Sequence, residues 1–309
     1  MTLSTIDFPA LAKRLSSLDE VKGRSLWADA SRRFFRNKAA VLGLALLAIC
    51  AVYAAFGQLI GPHTYDFQDF DIMGDAATKG MPSLANGHYF GTDDQGRDLF
   101  ARAAMGTRIS LMVGLIGTAI SVVVGTLYGA VSGYIGGRTD SLMMRTVDIL
   151  MAVPFMFVLI LVLVMFGKSL VILFISIGLL SWPSMARIVR GQTLTLKSRE
   201  FIEAAKATGV PTFRIILRHV VPNLLGIVAV YATLLVPDII LTESFISFLG
   251  LGVQEPQTSL GTLISDGAKA VYYDTLWQLT FPLMFFMMLM FGFFFAGDGL
   301  RDALDPKDR

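Results

Sequence analysis

Long apolar runs alternate with short polar segments along this chain. A helix needs about 20 residues to cross the hydrocarbon core of a membrane, and six runs are long enough. They cover residues 39–60, 109–135, 146–167, 169–187, 223–250 and 276–297. This pattern predicts an all-α, polytopic membrane protein with six transmembrane helices. The first run is too long for the core of a signal peptide, so we interpret it as a retained anchor.

The positions of Lys and Arg predict how the chain is oriented. Residues 1–38 carry 8 basic and 4 acidic residues, residues 187–222 carry 7 and 2, and residues 62–100 carry 2 and 7. These numbers predict that both termini and the segment 187–222 face the cytosol. The predicted divisions are a cytosolic leader at 1–38, a first transmembrane helix at 39–60, an external segment at 61–108, a core of five transmembrane helices at 109–300 that contains the cytosolic loop 187–222, and a cytosolic tail at 301–309.

Composition excludes several classes of protein. Of the 309 residues, 54% are hydrophobic and 16% are charged, and a soluble domain carries about 25% charged residues. A net charge of +2 gives no reason to expect a nucleic-acid partner. Cys50 is the only cysteine, and the three histidines lack ligand spacing. We therefore expect neither an internal disulfide nor a metal site.

Small residues recur at every fourth position of the second run. Gly117, Ser121, Gly125, Gly129 and Gly133 would form a flat seam against which another helix can pack closely. The seam predicts that this helix is central to the bundle. A merely flexible helix is the alternative.

Two more features concern the membrane boundary and the later spans. In the leader, Trp27, Ala30 and Phe34 recur at helical spacing beside several arginines, which is typical of an amphipathic helix at the membrane surface; a plain solvated leader is the alternative. The later spans are interrupted by prolines, which is tolerated where helices bend around a cavity. These are Pro154, Pro183, Pro237 and Pro282.

Three carboxylates lie within apolar stretches, where an ionised group costs about 2.5 to 3.5 kcal/mol. Asp148 follows Arg145 by three residues, so we expect a local ion pair. Asp238 and Glu243 either form hydrogen bonds at a helix end or between helices, or one of them lines a translocation path and meets a substrate amine.

The loop 187–222 has the pattern of a helix-turn-helix. Glu200, Glu203, Ala204 and Ala207 would share one helical face, and Gly209 can adopt the left-handed conformation that ends a helix. Pro211 suits the first turn of a second helix. On that helix we expect an apolar stripe beside two arginines. The stripe comprises Phe213, Ile216, Leu217 and Val220, and the arginines are Arg214 and Arg218. A plain basic loop that keeps this end cytosolic is the alternative.

Sequence motifs give little support for an enzyme. Gly167-Lys168-Ser169 copies the end of a phosphate-binding loop, but Val162 stands where the first glycine is required. No Ser/His/Asp set or carboxylate pair falls at a plausible depth. We expect no catalytic residue and no cofactor in this chain. A membrane enzyme and a channel or carrier that works alone remain as rival classes.

The segment Glu203-Ala204-Ala205, followed by Gly209 and Pro222, resembles the coupling loop of membrane subunits of bacterial ATP-binding-cassette importers. His219 and Val221 depart mildly from that pattern. Two segments, Glu20–Trp27 and Gly87–Asp93, resemble most the C-type membrane subunit of oligopeptide permeases. Further segments resemble the wider family of peptide importer permeases. They are Arg33–Lys38, Gly91–Asp93, Gly96–Asp98, Gly133–Gly137 with Asp140, Ser247–Gly252 and Gly297–Pro306. The resemblance therefore covers nearly the whole chain.

This resemblance implies a type I importer permease fold in the bacterial inner membrane, surrounded by lipid. It implies a homologous second permease, two ATPase subunits that hold ATP and Mg²⁺, an extracytoplasmic binding protein and an oligopeptide substrate; a dipeptide or nickel importer is the alternative. Coupling to the ATPase would fall on the loop residues. These are Glu200, Glu203, Ala204, Ala205, Gly209, Arg218 and Pro222.

Overall fold

The computed structural model describes residues 26–304. The predictions for the rest of the leader, for the side chain of Trp27 and for residues 305–309 lie outside the described part. Helices in chain order are α1 (Leu26–Arg36), α2 (Lys38–Ile60), α3 (Ala76–Lys79), α4 (Leu99–Ile135), α5 (Gly137–Ala152), α6 (Phe155–Phe166), α7 (Leu170–Lys197), α8 (Glu200–Ala207), α9 (Thr212–Ile215), α10 (Val221–Phe248), α11 (Leu260–Ala270) and α12 (Trp277–Leu304). Between residues 26 and 304 there are isolated β-bridges but no strand, so the all-α prediction is confirmed.

Side-chain caps fix where several helices begin. The Asn37 carboxamide oxygen accepts hydrogen bonds from the first amides of α2, and an Asp98 carboxylate oxygen accepts one from the amide of Ala101 in α4. Ser169 and Ser259 do the same for α7 and α11. Each cap satisfies an amide that has no partner inside its own helix.

Within residues 26–304, five helices are long and apolar enough to cross a membrane, and a bent pair forms a sixth span if its two helices are counted together. The span expected at 109–135 begins earlier, at Leu99, and the span expected at 169–187 continues to Lys197. Hydropathy placed the start of α4 too far inward because its first turns contain polar residues that are buried within the protein, whereas α7 continues past its apolar stretch as a partly exposed, polar end. Arg102, for example, is fully buried in the first turns of α4.

The span expected at 146–167 is the bent pair. Helix α5 ends at Ala152, α6 begins at Phe155, and their axes differ by 79°. Pro154 explains the break, because its ring disfavours the helical conformation of the preceding residue. Val153 accordingly has extended backbone angles, φ −83° and ψ 129°.

The small-residue seam of α4 packs against α7, as the sequence predicted. A Cβ atom added at Gly125 would lie 2.7 Å from the Cβ of Met185, and one at Gly133 would lie 2.8 Å from the carbonyl oxygen of Arg190. Only hydrogen fits at these positions. Helix α4 also contacts α2, α5, α10, α11 and α12, so it is the centre of the bundle.

The ion pair expected between Asp148 and Arg145 is wrong. Asp148 Oδ1 instead accepts a hydrogen bond from Arg187 Nη2 on α7, at 2.7 Å. The packing of α5 against α7 brings this arginine close, and sequence spacing within one helix could not reveal it.

Candidate functional site

Helices α8 and α9 form a compact elbow, residues 200–220, at the end of α7. The chain leaves α8 through a Schellman motif: the amide of Gly209 donates to the carbonyl of Lys206 at 3.0 Å, and the amide of Val210 donates to that of Ala205 at 3.1 Å. Gly209 has φ +77°, the left-handed conformation that the sequence predicted. The turn between the two helices is therefore set by backbone hydrogen bonds.

Helix α8 has one face turned to the bundle and one turned away. Ile202 is fully buried and Ala205 is buried, whereas Glu200, Glu203 and Ala204 are exposed. The resemblance includes Ala205 among the residues that couple to the ATPase. The structure instead places its side chain in the chain's own core, because it follows Ile202 by one helical turn.

The apolar stripe expected on the second helix is divided. Ile216 and Val220 are buried together with Ile215, but Phe213 and Leu217 are 69% and 39% exposed. Phe213 lies in α9 and is already exposed there. From Ile216 to Val220 a π-helical turn replaces the 3.6-residue period on which the stripe was based.

Proline accounts for this wider turn. Pro222 has no amide hydrogen, and in an α-helix its ring would collide with the carbonyl of residue 218. The π-helical turn lies directly before it, at the start of α10, and makes room for the ring. Pro222 and Arg218 are both exposed.

The elbow sits on the ends of α4 and α7. Ile202 and Ala205 belong to a buried cluster with Ala130 and Tyr134 of α4 and Val189 of α7. Two ammonium groups lie over the Tyr134 ring, those of Lys197 at 5.7 Å and Lys206 at 5.4 Å from its centroid. Apolar burial and cation–π attraction thus hold the elbow on these two helices.

Asp238 and Glu243 lie on the same helix but in different surroundings. Asp238 is exposed and lines a largely apolar cavity of about 510 Å³ between α7, α10 and α12, together with Ser184 and Tyr231. Glu243 is fully buried and accepts hydrogen bonds from three serine hydroxyls. The donors are Ser110 at 3.2 Å, Ser244 at 3.3 Å and Ser247 at 2.6 Å.

These contacts separate the roles of the two carboxylates. The Glu243 hydrogen bonds tie α10 to α4, in agreement with the helix-to-helix alternative. Asp238 is the one of the two that can be reached from a cavity. The structure does not bring them together as a pair.

A second polar centre lies at the bundle end opposite the elbow, and the sequence analysis missed it. Arg97 donates from Nε to Asp93 and from Nη1 to Glu255, both at 2.7 Å. The bond from Arg97 lowers the pKa of the Glu255 carboxyl below its usual range. This network ties the segment before α4 to the loop between α10 and α11. The partners are 158 residues apart in sequence, so no local pattern could have shown it.

Within residues 26–304 there is no group of three His, Cys, Asp or Glu side chains that could hold a metal ion. The polar features of the described chain are instead ion pairs and hydrogen bonds between helices, an exposed elbow and the cavity beside Asp238.

Comparison with known proteins agrees with this architecture. Residues 123–309 match the family described as binding-protein-dependent transport system inner membrane component, and residues 25–78 match the N-terminal transmembrane domain of oligopeptide transport permease C. The oligopeptide transport system permease protein OppC of Escherichia coli K12 is 55% identical over 290 residues, which is 94% of each chain.

Two further relatives extend the comparison. OppC of Haemophilus influenzae is 53% identical over 97% of this chain and 94% of its own length, and the dipeptide transport system permease protein DppC of Bacillus subtilis is 43% identical over 94% and 89%. Similarity therefore extends over almost the entire length. This chain belongs to the family of binding-protein-dependent transport system inner membrane components.

Proposed function

We propose that this chain is the C-type permease subunit of an ATP-driven importer that carries oligopeptides across the bacterial inner membrane. The observation that carries the proposal is 53 to 55% identity, over nearly the full length, to permeases of oligopeptide transport systems. A homologous second permease, two ATPase subunits and an extracytoplasmic binding protein would complete the complex. ATP and Mg²⁺ would be held by the ATPases.

In this proposal the elbow is the contact with one ATPase. Its outer face offers Glu203 and Ala204 on α8 and the exposed Phe213 ring on α9. In the part of the chain that the structure describes, Glu203 forms no ion pair or side-chain hydrogen bond, so its carboxylate is available to a partner. Exposed apolar groups bordered by charge are typical of protein interfaces. The elbow end and both termini would then face the cytosol, as the Lys and Arg distribution predicts.

The elbow can transmit movement because it is held firmly to the bundle. Closure of the ATPases on ATP would displace α8, and the buried Ile202 side chain would pull the ends of α4 and α7 with it. Such rocking of helices around a fixed site is how alternating access works in transporters. The cavity beside Asp238 would then open toward one side of the membrane at a time.

Reversing the charge of Glu203 tests this role. We expect Glu203→Lys, expressed with its partner subunits, to insert normally but to lose ATP-dependent peptide uptake. Glu203→Gln, which keeps the size and hydrogen-bonding capacity of the side chain, should retain much more uptake. The measurement is peptide uptake per ATP hydrolysed in vesicles containing the whole complex. Uptake by Glu203→Lys equal to that of the wild type would remove the elbow from the mechanism.

Dipeptide import is the second candidate, since a dipeptide permease of Bacillus subtilis is 43% identical. Competition between labelled longer peptides and unlabelled dipeptides in the same vesicles separates the two. Accumulation against a gradient by this chain alone, without ATPase subunits, would refute the importer proposal and favour a carrier.

A further inference from the structure

One buried carboxylate joins three helices beside the elbow. Asp140, in the first turn of α5, accepts hydrogen bonds from Nε and Nη2 of Arg190 on α7, both at 2.6 Å. It also accepts one from the Ser132 hydroxyl on α4, at 2.6 Å. A bidentate arginine–carboxylate pair fixes orientation as well as separation. We call these three residues the Asp140 clamp.

The clamp lies where α4 and α7 cannot move apart without losing close packing. The seam glycine Gly133 brings the backbone of α4 against the carbonyl of Arg190. A Cβ atom added at Gly133 would lie only 2.8 Å from that carbonyl oxygen. Helix α7 continues from Arg190 to Lys197, and α8 begins three residues later at Glu200. A displacement of the elbow therefore reaches Arg190 through residues 198–199 and the C-terminal turns of α7.

Helix α5 has no comparably rigid connection along the chain. On one side it is joined to α4 through Gly136 and Gly137, which both have positive φ. On the other side it is joined to α6 through the 79° break at Val153–Pro154. Both neighbouring connections are bends, so side-chain contacts must determine whether α5 follows the movement of its neighbours.

A second ion pair joins the same two helices and provides a natural control. Asp148 of α5 and Arg187 of α7 are 2.7 Å apart, but their side chains are 59% and 52% exposed. In the clamp the Asp140 and Arg190 side chains are less exposed, at 12% and 32%. Exposed pairs are screened by solvent and hold weakly, whereas buried, doubly hydrogen-bonded pairs hold their geometry.

We propose that the Asp140 clamp carries the displacement of the elbow into the bent pair α5–α6, so that the pair moves with α7 when the ATPases close. Asp140 and Arg190 are thus positioning residues for transport. The inference rests on the proposed function, because it requires an elbow driven by ATP. The inference adds the path by which movement of the elbow reaches the third transmembrane span, which is the bent pair α5–α6.

The experiment uses the complete complex in vesicles, with peptide uptake and ATP hydrolysis measured together. Asp140→Asn and Arg190→Gln should lower uptake per ATP by about tenfold or more, as expected when one partner of a charged hydrogen bond is removed. The peptide concentration for half-maximal uptake should stay within about twofold, because the clamp does not touch substrate. The control variants Asp148→Asn and Arg187→Gln should behave as the wild type. Wild-type uptake per ATP in both clamp variants would overturn the inference.

A second pair of substitutions separates transmission of movement from folding. Cys50 is the only cysteine and is fully buried, so Asp140→Cys combined with Arg190→Cys gives two uniquely reactive thiols. We expect this double variant to hydrolyse ATP with little uptake, and a short bismaleimide that links the two thiols to restore uptake. A merely structural role would give no such rescue, so failure of the linked protein to recover uptake would also overturn the inference.

The same vesicles report separately on the proposed function. If the wild type and the Asp148→Asn control show no ATP-dependent uptake, the importer proposal fails and the clamp inference fails with it. If they transport and the clamp variants transport equally well per ATP, only the clamp inference fails.

Discussion

The turn of the elbow at Gly209 allows backbone conformation to be separated from side-chain volume. Gly209 has φ +77°, and a Cβ added there would meet nothing within 4 Å. A side chain at this position would therefore be disfavoured only by the positive φ of residue 209 and not by contact with neighbouring atoms. We compare three substitutions that differ in their tolerance of positive φ: Gly209→Asn, Gly209→Ala and Gly209→Val.

The cost follows from the geometry. An L-residue in the left-handed region loses roughly 1 to 2 kcal/mol, asparagine loses less, and a β-branched side chain loses more. The amides at risk are those of Gly209 and Val210, which close the Schellman motif. A loss of 1 to 2 kcal/mol makes the equilibrium constant for opening these hydrogen bonds about 5- to 30-fold larger in the alanine variant.

Two measurements on the assembled complex test this order. Hydrogen exchange of the peptide that covers 200–210 should be nearly unchanged in Gly209→Asn, faster in Gly209→Ala and fastest in Gly209→Val. Uptake per ATP should fall in the same order, because an elbow that no longer keeps its angle transmits less of the ATPase movement. Gly191→Val, at a helical glycine with equally open surroundings, is the matched control and should change neither readout.

The asparagine variant separates the effect of backbone strain from the effect of side-chain volume. If Gly209→Asn lost as much uptake as Gly209→Val while exchange stayed slow, side-chain volume against a partner would be the cause, and the backbone argument would be refuted. Equal coupling in all three variants would show that the left-handed turn is not needed for transport.

Three other predictions concern the bundle. Gly125→Val should cost about 1 to 3 kcal/mol through overpacking of the α4–α7 seam, seen as a lower melting temperature of the purified complex, while Gly191→Val should melt as the wild type does. Asp238→Asn should lower peptide uptake because this carboxylate faces the cavity. Glu243→Gln should lower the melting temperature and leave uptake per complex unchanged, because Glu243 is buried between helices. Unchanged uptake by Asp238→Asn at an equal amount of protein would contradict the cavity role. Because the pKa of Glu255 is lowered in the folded state, its ion pair stabilises above the ordinary value of 4.5 and is lost as the pH falls through the lowered value. The difference in melting temperature between wild type and Glu255→Gln should therefore be present at neutral pH and shrink in acid, and a difference that grew in acid would contradict this sign.

Several expectations depended on local rules and were confirmed. The seam at Gly125 and Gly133 follows from side-chain size and a spacing of four, both of which are visible in the sequence. The left-handed turn at Gly209 likewise needs only the glycine and its position after a short helix. Such features are determined within a few residues of chain, so no knowledge of distant partners was required.

The two incorrect expectations have different causes. The spacing of three residues pairs Asp148 with Arg145 in its own helix, because sequence spacing describes one helix alone and not the helices that pack against it. The divided stripe after Phe213 has a different origin, since one π-helical turn changes the period for every later residue. Pro222 is the visible signal of that turn, because its ring cannot be accommodated against the carbonyl of residue 218 in a regular α-helix.

The sequence by itself determined that this is an all-α protein of the membrane, where its glycine seam lies and how its elbow turns, because apolar length, side-chain size and backbone freedom are properties of short segments. Only the tertiary structure decided which charged groups meet. The partners Asp140 and Arg190 are 50 residues apart, and those of Arg97 and Glu255 are 158 apart. Such contacts depend on the relative rotation and depth of packed helices, which no local pattern specifies.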